Sequence, residues 1–314
     1  MDEFALIARI RRRLGEPQGP ITLGIGDDGA ILDAGRGPLV LSVDVGVEGV
    51  HFVRAWLSFA DIGFRTYAGA LSDLAAMGAT PTVGLLSLIL PRDLGPEGTL
   101  AIVDGVAEAG RAFAAPVVGG NVSGGAELSL TLSVVGELGR ASLRREGARV
   151  GDGIFVTGTV GSAALGWRLL EAGAEDDPRA GPFIARWRRP RPRFDRVAAL
   201  VDVATAAIDI SDGLAGDLGH VCRASGVGAE VEEAALPLHP DLVALAAAHG
   251  HDGVALALGG GEDYELLFTA PVAAVDPSTG TRIGTVVAGE PSVRVRGPSG
   301  AVREVIDGHR HDLG

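Results

Sequence analysis

Short apolar runs alternate with segments of helical period on both sides of a glycine-rich turn cluster, GARVGDG at 147–153, and this pattern restricts the chain to mixed layers of helix and strand. In the first half, 39–45 predicts a strand, 60–78 a helix, 83–90 a strand and 96–114 a helix, followed by a short strand at 116–118 and a longer one at 127–137. In the second half, IFVTG at 154–158 predicts a strand and 161–172 a helix. A strand at 205–210 runs into a helix beginning near Ser211, YELLFTA at 264–270 is a strand, and 281–296 holds two more. Pro190 and Pro192 interrupt a helix within RWRRPRPR. A length of 314 residues is about twice that of a usual domain, so the expectation is a two-domain α/β (α+β) chain divided into 1–145 and 146–314.

Charge and composition exclude several functions. A net charge of −13 disfavours nucleic-acid binding, which needs a basic face. All 27 basic residues are arginine, so a Walker-type loop ending in Gly-Lys-Ser/Thr is excluded, and phosphate chemistry must rely on metals, arginines and backbone N–H groups. The single cysteine, Cys222, rules out an intrachain disulfide and reads as a small core residue. The first residues, MDEFALIARIRRRLGE, read as an amphipathic helix rather than a signal peptide, and no charge-free apolar stretch reaches the roughly 18 residues of a membrane span. The expected location is cytoplasmic, without a membrane partner.

The informative residues are aspartates at turn-like ends of apolar elements: Asp27 and Asp28 in GIGDDGA, Asp44 after LVLSV, Asp73 in ALSDLAAMGA, and Asp209 and Asp212 around Ser211. Singly, each reads as a turn or cap residue. Together they form a set of hard oxygen donors suited to Mg²⁺, which is held by a few carboxylates and substrate phosphates. Joining two phosphates needs such a set, because ATP carries about four negative charges and a monoester acceptor nearly two. An acceptor that is already anionic does not need a strong general base.

With these motifs assembled, the chain resembles the thiamine-monophosphate kinase family along nearly its whole length. The resemblance is carried by GIGDDGAIL (24–32), LSVDVGVEGVHF (41–52), ALSDLAAMGATP (70–81), VVGGN (117–121), GDGIFVTG (151–158), RPRPR (189–193), IDISDGLAGDLGH (208–220) and GGGEDYELLFT (259–269). It implies ATP-dependent, Mg²⁺-assisted phosphorylation of thiamine monophosphate to thiamine diphosphate, with K⁺ an additional candidate ion. It also implies an N-terminal mixed sheet with helices that pairs in a homodimer, and a C-terminal α/β domain that completes the substrate site. By matching position, Asp27, Ser42, Asp44, Asp73, Asp209 and Asp212 would hold metal, with Asp44 and Asp73 central to catalysis. Gly120, Arg145 and Ser211 would contact ATP, and His51 and Glu262 would contact thiamine phosphate.

Several positions depart from the family pattern. Asn121 stands where the family has a metal-binding aspartate, keeping an oxygen donor toward metal and ATP but losing a charge. Arg65 and Ala70 replace a familiar Lys and Asn, and SVDV replaces a Thr-rich strand end. In GHRHD, His309 takes the place of a substrate-stacking aromatic. Two other readings are ring closure of the aminoimidazole ribonucleotide synthetase type and a nucleotide-binding relative with weakened catalysis. The related hydrogenase-maturation and selenophosphate chemistries need a C-terminal cysteine, or an N-terminal cysteine or selenocysteine with a lysine, and the sequence offers neither arrangement.

Overall fold

The computed structural model of the chain describes residues 3–15, 19, 21–23, 31–33, 35 and 37–305. By internal contacts the chain divides into two units. One runs to Leu74 and then from Ala79 to Gly139; the other comprises Ala75–Gly78 and the chain from Arg140 onward.

The first unit runs α1 (Glu3–Leu14), β1 (Ile21–Leu23), β2 (Ile31–Leu32), β3 (Leu39–Val47), α2 (Phe59–Ala76), β4 (Ala79–Leu90), α3 (Gly95–Ala112), β5 (Val117–Gly124) and β6 (Ser129–Leu138). β1 and β2 form an antiparallel pair, and the other four strands make one sheet in the order β3-β6-β4-β5. Only β4 and β5 are parallel, joined by α3 as the crossover that a parallel pair requires. β5 extends well beyond the three residues expected. GGNVSGG has weak strand propensity, but pairing with β4 from Gly84 to Leu90 satisfies its backbone.

α2 starts at an N-cap serine: the Asp61 N–H donates to Ser58 Oγ at 3.1 Å, and the Ser58 hydroxyl donates to Asp61 Oδ2 at 2.7 Å. It lies close on one face of the sheet because glycines beneath it carry no side chain. A Cβ at Gly84 would stand 2.3 Å from Tyr67 Oη, and one at Gly46 would stand 2.8 Å from Thr66 Oγ1. Tyr67 itself is fully buried, donates to the Ala115 carbonyl at 2.8 Å, and has its pKa raised by burial. α3 crosses α2 at backbone contact: a Cβ at Gly63 would be 2.0 Å from the Ile102 oxygen, and one at Gly105 would be 1.8 Å from the Ala60 oxygen. The opposite sheet face carries exposed Leu39, Leu41, Val43, Leu85 and Ile89.

The second unit runs β7 (Gly153–Val156), α4 (Ser162–Glu171), α5 (Gly181–Arg188), α6 (Phe194–Leu200), β8 (Ala206–Asp209), α7 (Leu214–Ser225), β9 (Gly228–Glu232), α8 (Leu242–Ala248), α9 (Gly253–Gly259), β10 (Leu266–Ala270), β11 (Thr281–Val287), β12 (Val293–Arg296) and β13 (Val302–Val305). Its seven strands lie in the order β13-β12-β9-β11-β7-β10-β8, antiparallel apart from β12 beside β9. Alternation along the central strands buries both faces. Ile154, Val156, Ile208 and Leu267 join a core with Leu218, Val221 and Cys222 of α7, while Phe155, Ala207 and Phe268 join a second core with Leu200 of α6. Phe155 and Phe268, paired across the ladder, stack at 5.1 Å. Cys222 is the core residue the sequence indicates, its thiol pushed up to about 11, first by burial. No single helix among the described residues is long and apolar enough to cross a membrane.

Replacing Gly105 with alanine drives a methyl into the Ala60 carbonyl. The expected result is a loss of about 2 kcal/mol, seen as a lowered midpoint in thermal melts followed by circular dichroism. An unchanged midpoint would mean that α2 and α3 separate without cost.

Candidate active site

In the first unit, Ser42 and Asp44 alternate with the exposed Leu41 and Val43 along β3, so both face α2. Asp73 of α2 meets the strand there, with the Ser42 hydroxyl donating to Asp73 Oδ2 at 2.5 Å. Two expected ligands, 31 positions apart, are therefore in contact. The sequence puts Asp44 at the end of its strand, but β3 continues to Val47 because Val45, Gly46 and Val47 keep their pairing with β6. Asp44 Oδ1 accepts the Val45 N–H at 2.8 Å.

His51 closes the turn after β3. Its Nδ1 accepts the Val47 N–H at 3.1 Å and its own N–H donates to the Val47 carbonyl at 2.9 Å, which assigns the ring proton to Nε2. Gly120 lies on β5 at φ 155°, where a Cβ would be 1.8 Å from the Leu86 oxygen. Asn121 is exposed and registers with Ser87 on the sheet face away from α2, and β5 is separated from β3 by two strands. The structure thus groups Ser42, Asp44 and Asp73 and leaves Asn121 apart from them.

In the second unit, Asp209 ends β8 and is buried. The loop between β8 and α7 is held from below by Asp217, whose Oδ2 accepts the N–H groups of Ser211, Asp212 and Gly213, each at 3.1 Å. This ties up the N–H groups of the loop ahead of α7 and leaves Ser211 and Asp212 to act through their side chains. Burial first, and then the charges of Asp209 and Asp212, push Asp217 up to about 8. Asp217 is absent from the expected ligands. Its sequence signal is an acid in the first turn of a helix that follows two others.

The GGGEDYE segment runs alongside this loop. The Glu262 N–H donates to the Ser211 carbonyl and the Tyr264 N–H to the Ile210 carbonyl, both at 2.9 Å, with Glu262 at φ 66° and Tyr264 at φ 50°. Left-handed backbone at two non-glycine residues is strain of the kind that gathers at ligand sites. Ser211, expected at ATP, and Glu262, expected at thiamine phosphate, are therefore neighbours. Asp263, fully buried, caps α4: Oδ2 accepts the Gly161 N–H at 2.6 Å and Oδ1 the Ala163 N–H at 3.0 Å, while burial pushes its carboxyl up to about 6.

Two arginines of RWRRPRPR, Arg186 and Arg193, pair with acids. Glu265, exposed by only 2%, accepts from Arg186, from Arg193 at 2.6 Å and from the Thr157 hydroxyl at 2.7 Å. In the same segment the Trp187 Nε1–H donates to Glu262 Oε2 at 2.6 Å. Sequence reasoning did not single out this tryptophan.

Arg145 is exposed, and its carbonyl accepts the Ser225 hydroxyl at 3.2 Å. A cleft of about 510 Å³ opens beside it, lined by Arg144, Glu146, Thr205 and Ser225 among others, and takes none of its walls from the 209–213 or 259–265 loops. Asp27 and His309 lie outside the described residues.

Among the described residues no three His, Cys, Asp or Glu side chains converge as a preformed metal cage would require. Mg²⁺ keeps waters and substrate phosphates in its shell and needs only one or two carboxylates from any one place. Ser42 against Asp73 in the first unit, and Asp209 and Asp212 around the loop after β8 in the second, provide that kind of hard-oxygen donor set.

Two family models match the chain: the N-terminal domain of AIR synthase related proteins over residues 26–138 and the C-terminal domain over 149–295. The chain is 42% identical to thiamine-monophosphate kinase of Salmonella typhimurium over 276 residues, which is 86% of this chain and 82% of that protein. The crystal structure of thiamine-monophosphate kinase from Stenotrophomonas maltophilia superposes with a TM-score of 0.84 at 38% identity, covering 94% of this chain and 96% of that one. AaThiL complexed with AMPPCP and TMP superposes with a TM-score of 0.79 at 37% identity, covering 93% of each chain.

Changing Glu265 to glutamine leaves two guanidinium groups against a neutral amide. The expected loss is about 3 kcal/mol, measured from urea unfolding. A change near zero would show that Arg186 and Arg193 find other partners.

Proposed function

Because the chain belongs to the thiamine-monophosphate kinase family, we propose that it transfers the γ-phosphoryl group of ATP to the phosphate of thiamine monophosphate, giving thiamine diphosphate and ADP. The carrying observation is the match over most of the chain to kinases of this name, and to AaThiL complexed with AMPPCP and TMP. Ring closure of the aminoimidazole ribonucleotide synthetase type is not favoured, since the relatives at 35–42% identity are thiamine-monophosphate kinases.

Asp27, Ser42, Asp44 and Asp73 would hold Mg²⁺ from the first unit, and Asp209 and Asp212 from the second, while Asn121, on the other face of the first-unit sheet, is kept for ATP. Bound Mg²⁺ neutralises the charge of the two phosphates so that they can approach. Gly120 and Asn121, on an open edge strand, together with the Arg145 guanidinium and the Ser211 hydroxyl, bind and orient ATP. The His51 ring, Glu262 and His309 receive thiamine monophosphate, with the Glu262 carboxylate facing the cationic thiazolium. The attacking oxygen belongs to an ionised phosphate, so positioning suffices where a hydroxyl acceptor would need a base. K⁺ is an additional candidate ion, and the acidic chain is assigned to the cytoplasm.

A second copy of the chain covers the apolar sheet face of the first unit. Leu41 is 72% exposed and Val43 64%, on a face that also carries Leu39, Leu85 and Ile89. Light scattering after size exclusion is expected to give twice the 31.9 kDa chain mass. Leu41→Glu is expected to shift the protein toward monomer, and a monomeric wild type would remove the homodimer.

For the reaction, purified protein with ATP, Mg²⁺ and thiamine monophosphate is expected to form thiamine diphosphate, measured by chromatography. Asp44→Ala and Asp73→Ala are each expected to lower kcat at least about 100-fold while leaving the circular dichroism spectrum unchanged. Absence of product with the wild type overturns the reaction; near-normal kcat in both variants overturns the assignment of these carboxylates.

A further inference from the structure

We propose that Trp187 is a positioning residue for substrate recognition, fixing the direction of the Glu262 carboxylate through its indole N–H; this rests on the assignment of Glu262 to thiamine monophosphate made above.

The contact joins residues 75 positions apart, with Nε1 at 2.6 Å from Oε2. An indole nitrogen only donates, so the partner it selects is an acceptor, and an ionised carboxylate is the strongest available. The ring is only 2% exposed, so its packing sets the line along which the N–H points. A donor on a flexible side chain would follow the carboxylate, whereas a buried indole makes the carboxylate follow it.

The segment that carries the ring is itself braced. Arg186, one residue earlier, donates to the Asp263 carbonyl at 2.7 Å and to the Glu265 carboxylate, and Arg193 reaches the same carboxylate at 2.6 Å. Glu262 is held at its backbone too, in the left-handed region at φ 66° with its N–H on the Ser211 carbonyl at 2.9 Å. Main chain and side chain are thus tied to different elements, the main chain to the loop after β8 and the carboxylate to α5. Such double restraint serves recognition, since a charge that must meet a cation at one place is worth most when it does not wander. The indole bond supplies direction to ground-state binding and takes no part in the reacting phosphates, so its loss should appear in KM for thiamine monophosphate.

The test compares wild type, Glu262→Gln, Trp187→Phe and the double variant, measuring kcat and the KM of each substrate. Binding of thiamine monophosphate in the presence of AMPPCP is measured by calorimetry as a readout independent of turnover. Trp187→Phe is expected to raise KM and Kd for thiamine monophosphate about tenfold, the worth of roughly one hydrogen bond to a charged group. KM for ATP and kcat are expected to stay within about twofold, and the double variant should bind no more weakly than Glu262→Gln alone. Should phenylalanine prevent folding, 3-benzothienylalanine at position 187 replaces the N–H by sulfur with the ring shape kept and is expected to give the same shift. Weaker binding in Glu262→Gln, with no change on loss of the indole donor or with fully additive effects, overturns the role of Trp187 alone. Unchanged binding in Glu262→Gln overturns both the role and the assignment on which it rests.

Discussion

A carboxylate with almost no exposed surface is costly to bury unless cations stand against it, and in the second unit Glu265 is met by two guanidinium groups, Arg186 and Arg193. Those arginines flank Pro190 and Pro192, so the pairing holds in place a segment that cannot be helical. Because Glu265 directly precedes β10, the same pairing anchors the GGGEDYE segment at its far end. Asp263 anchors it again at the start of α4. Just ahead of these buried acids stands Glu262, whose carboxylate meets Trp187. Three acids within four residues thus serve different ends, and their burial separates them.

A similar division applies to the aspartates around β8. Asp217 turns inward and gathers three N–H groups, which shapes the loop carrying Ser211 and Asp212. That inward carboxylate takes up the N–H groups of residues 211–213, so Ser211 and Asp212 meet a ligand with their side chains. Asp209 stands at the end of β8, where the loop carrying Ser211 and Asp212 begins. In the first unit the constraint is close approach rather than charge. Glycines at 46 and 84 let α2 settle onto the sheet, and its depth brings Asp73 within hydrogen-bond reach of Ser42.

The order of helices and strands was largely legible because apolar period depends on neighbours a few residues away. The strand at 39–45, the helices at 60–78 and 96–114 and the break at Pro190 all stand within a few residues of their expected bounds. β5 was read too short, since its glycines carry little local preference for extension and the pairing that makes it a strand comes from β4. β9, α8, α9 and β13 were not distinguished in the sequence; their apolar residues pack into cores assembled from distant parts of the chain. Asp44 was placed at a strand end because an acid closes the apolar run LVLSV, yet pairing with β6 carries the strand on to Val47.

By itself the sequence determined the class of layers, the absence of a lysine-based phosphate loop and the motifs that place the chain in its family. Each of these depends on residue identity and spacing alone. Tertiary structure decided which acids face one another, which cap helices, and that a tryptophan in an arginine-rich segment meets Glu262. The physical reason is that a carboxylate takes its role from its desolvation and its partners, and both are supplied by residues far away in the chain.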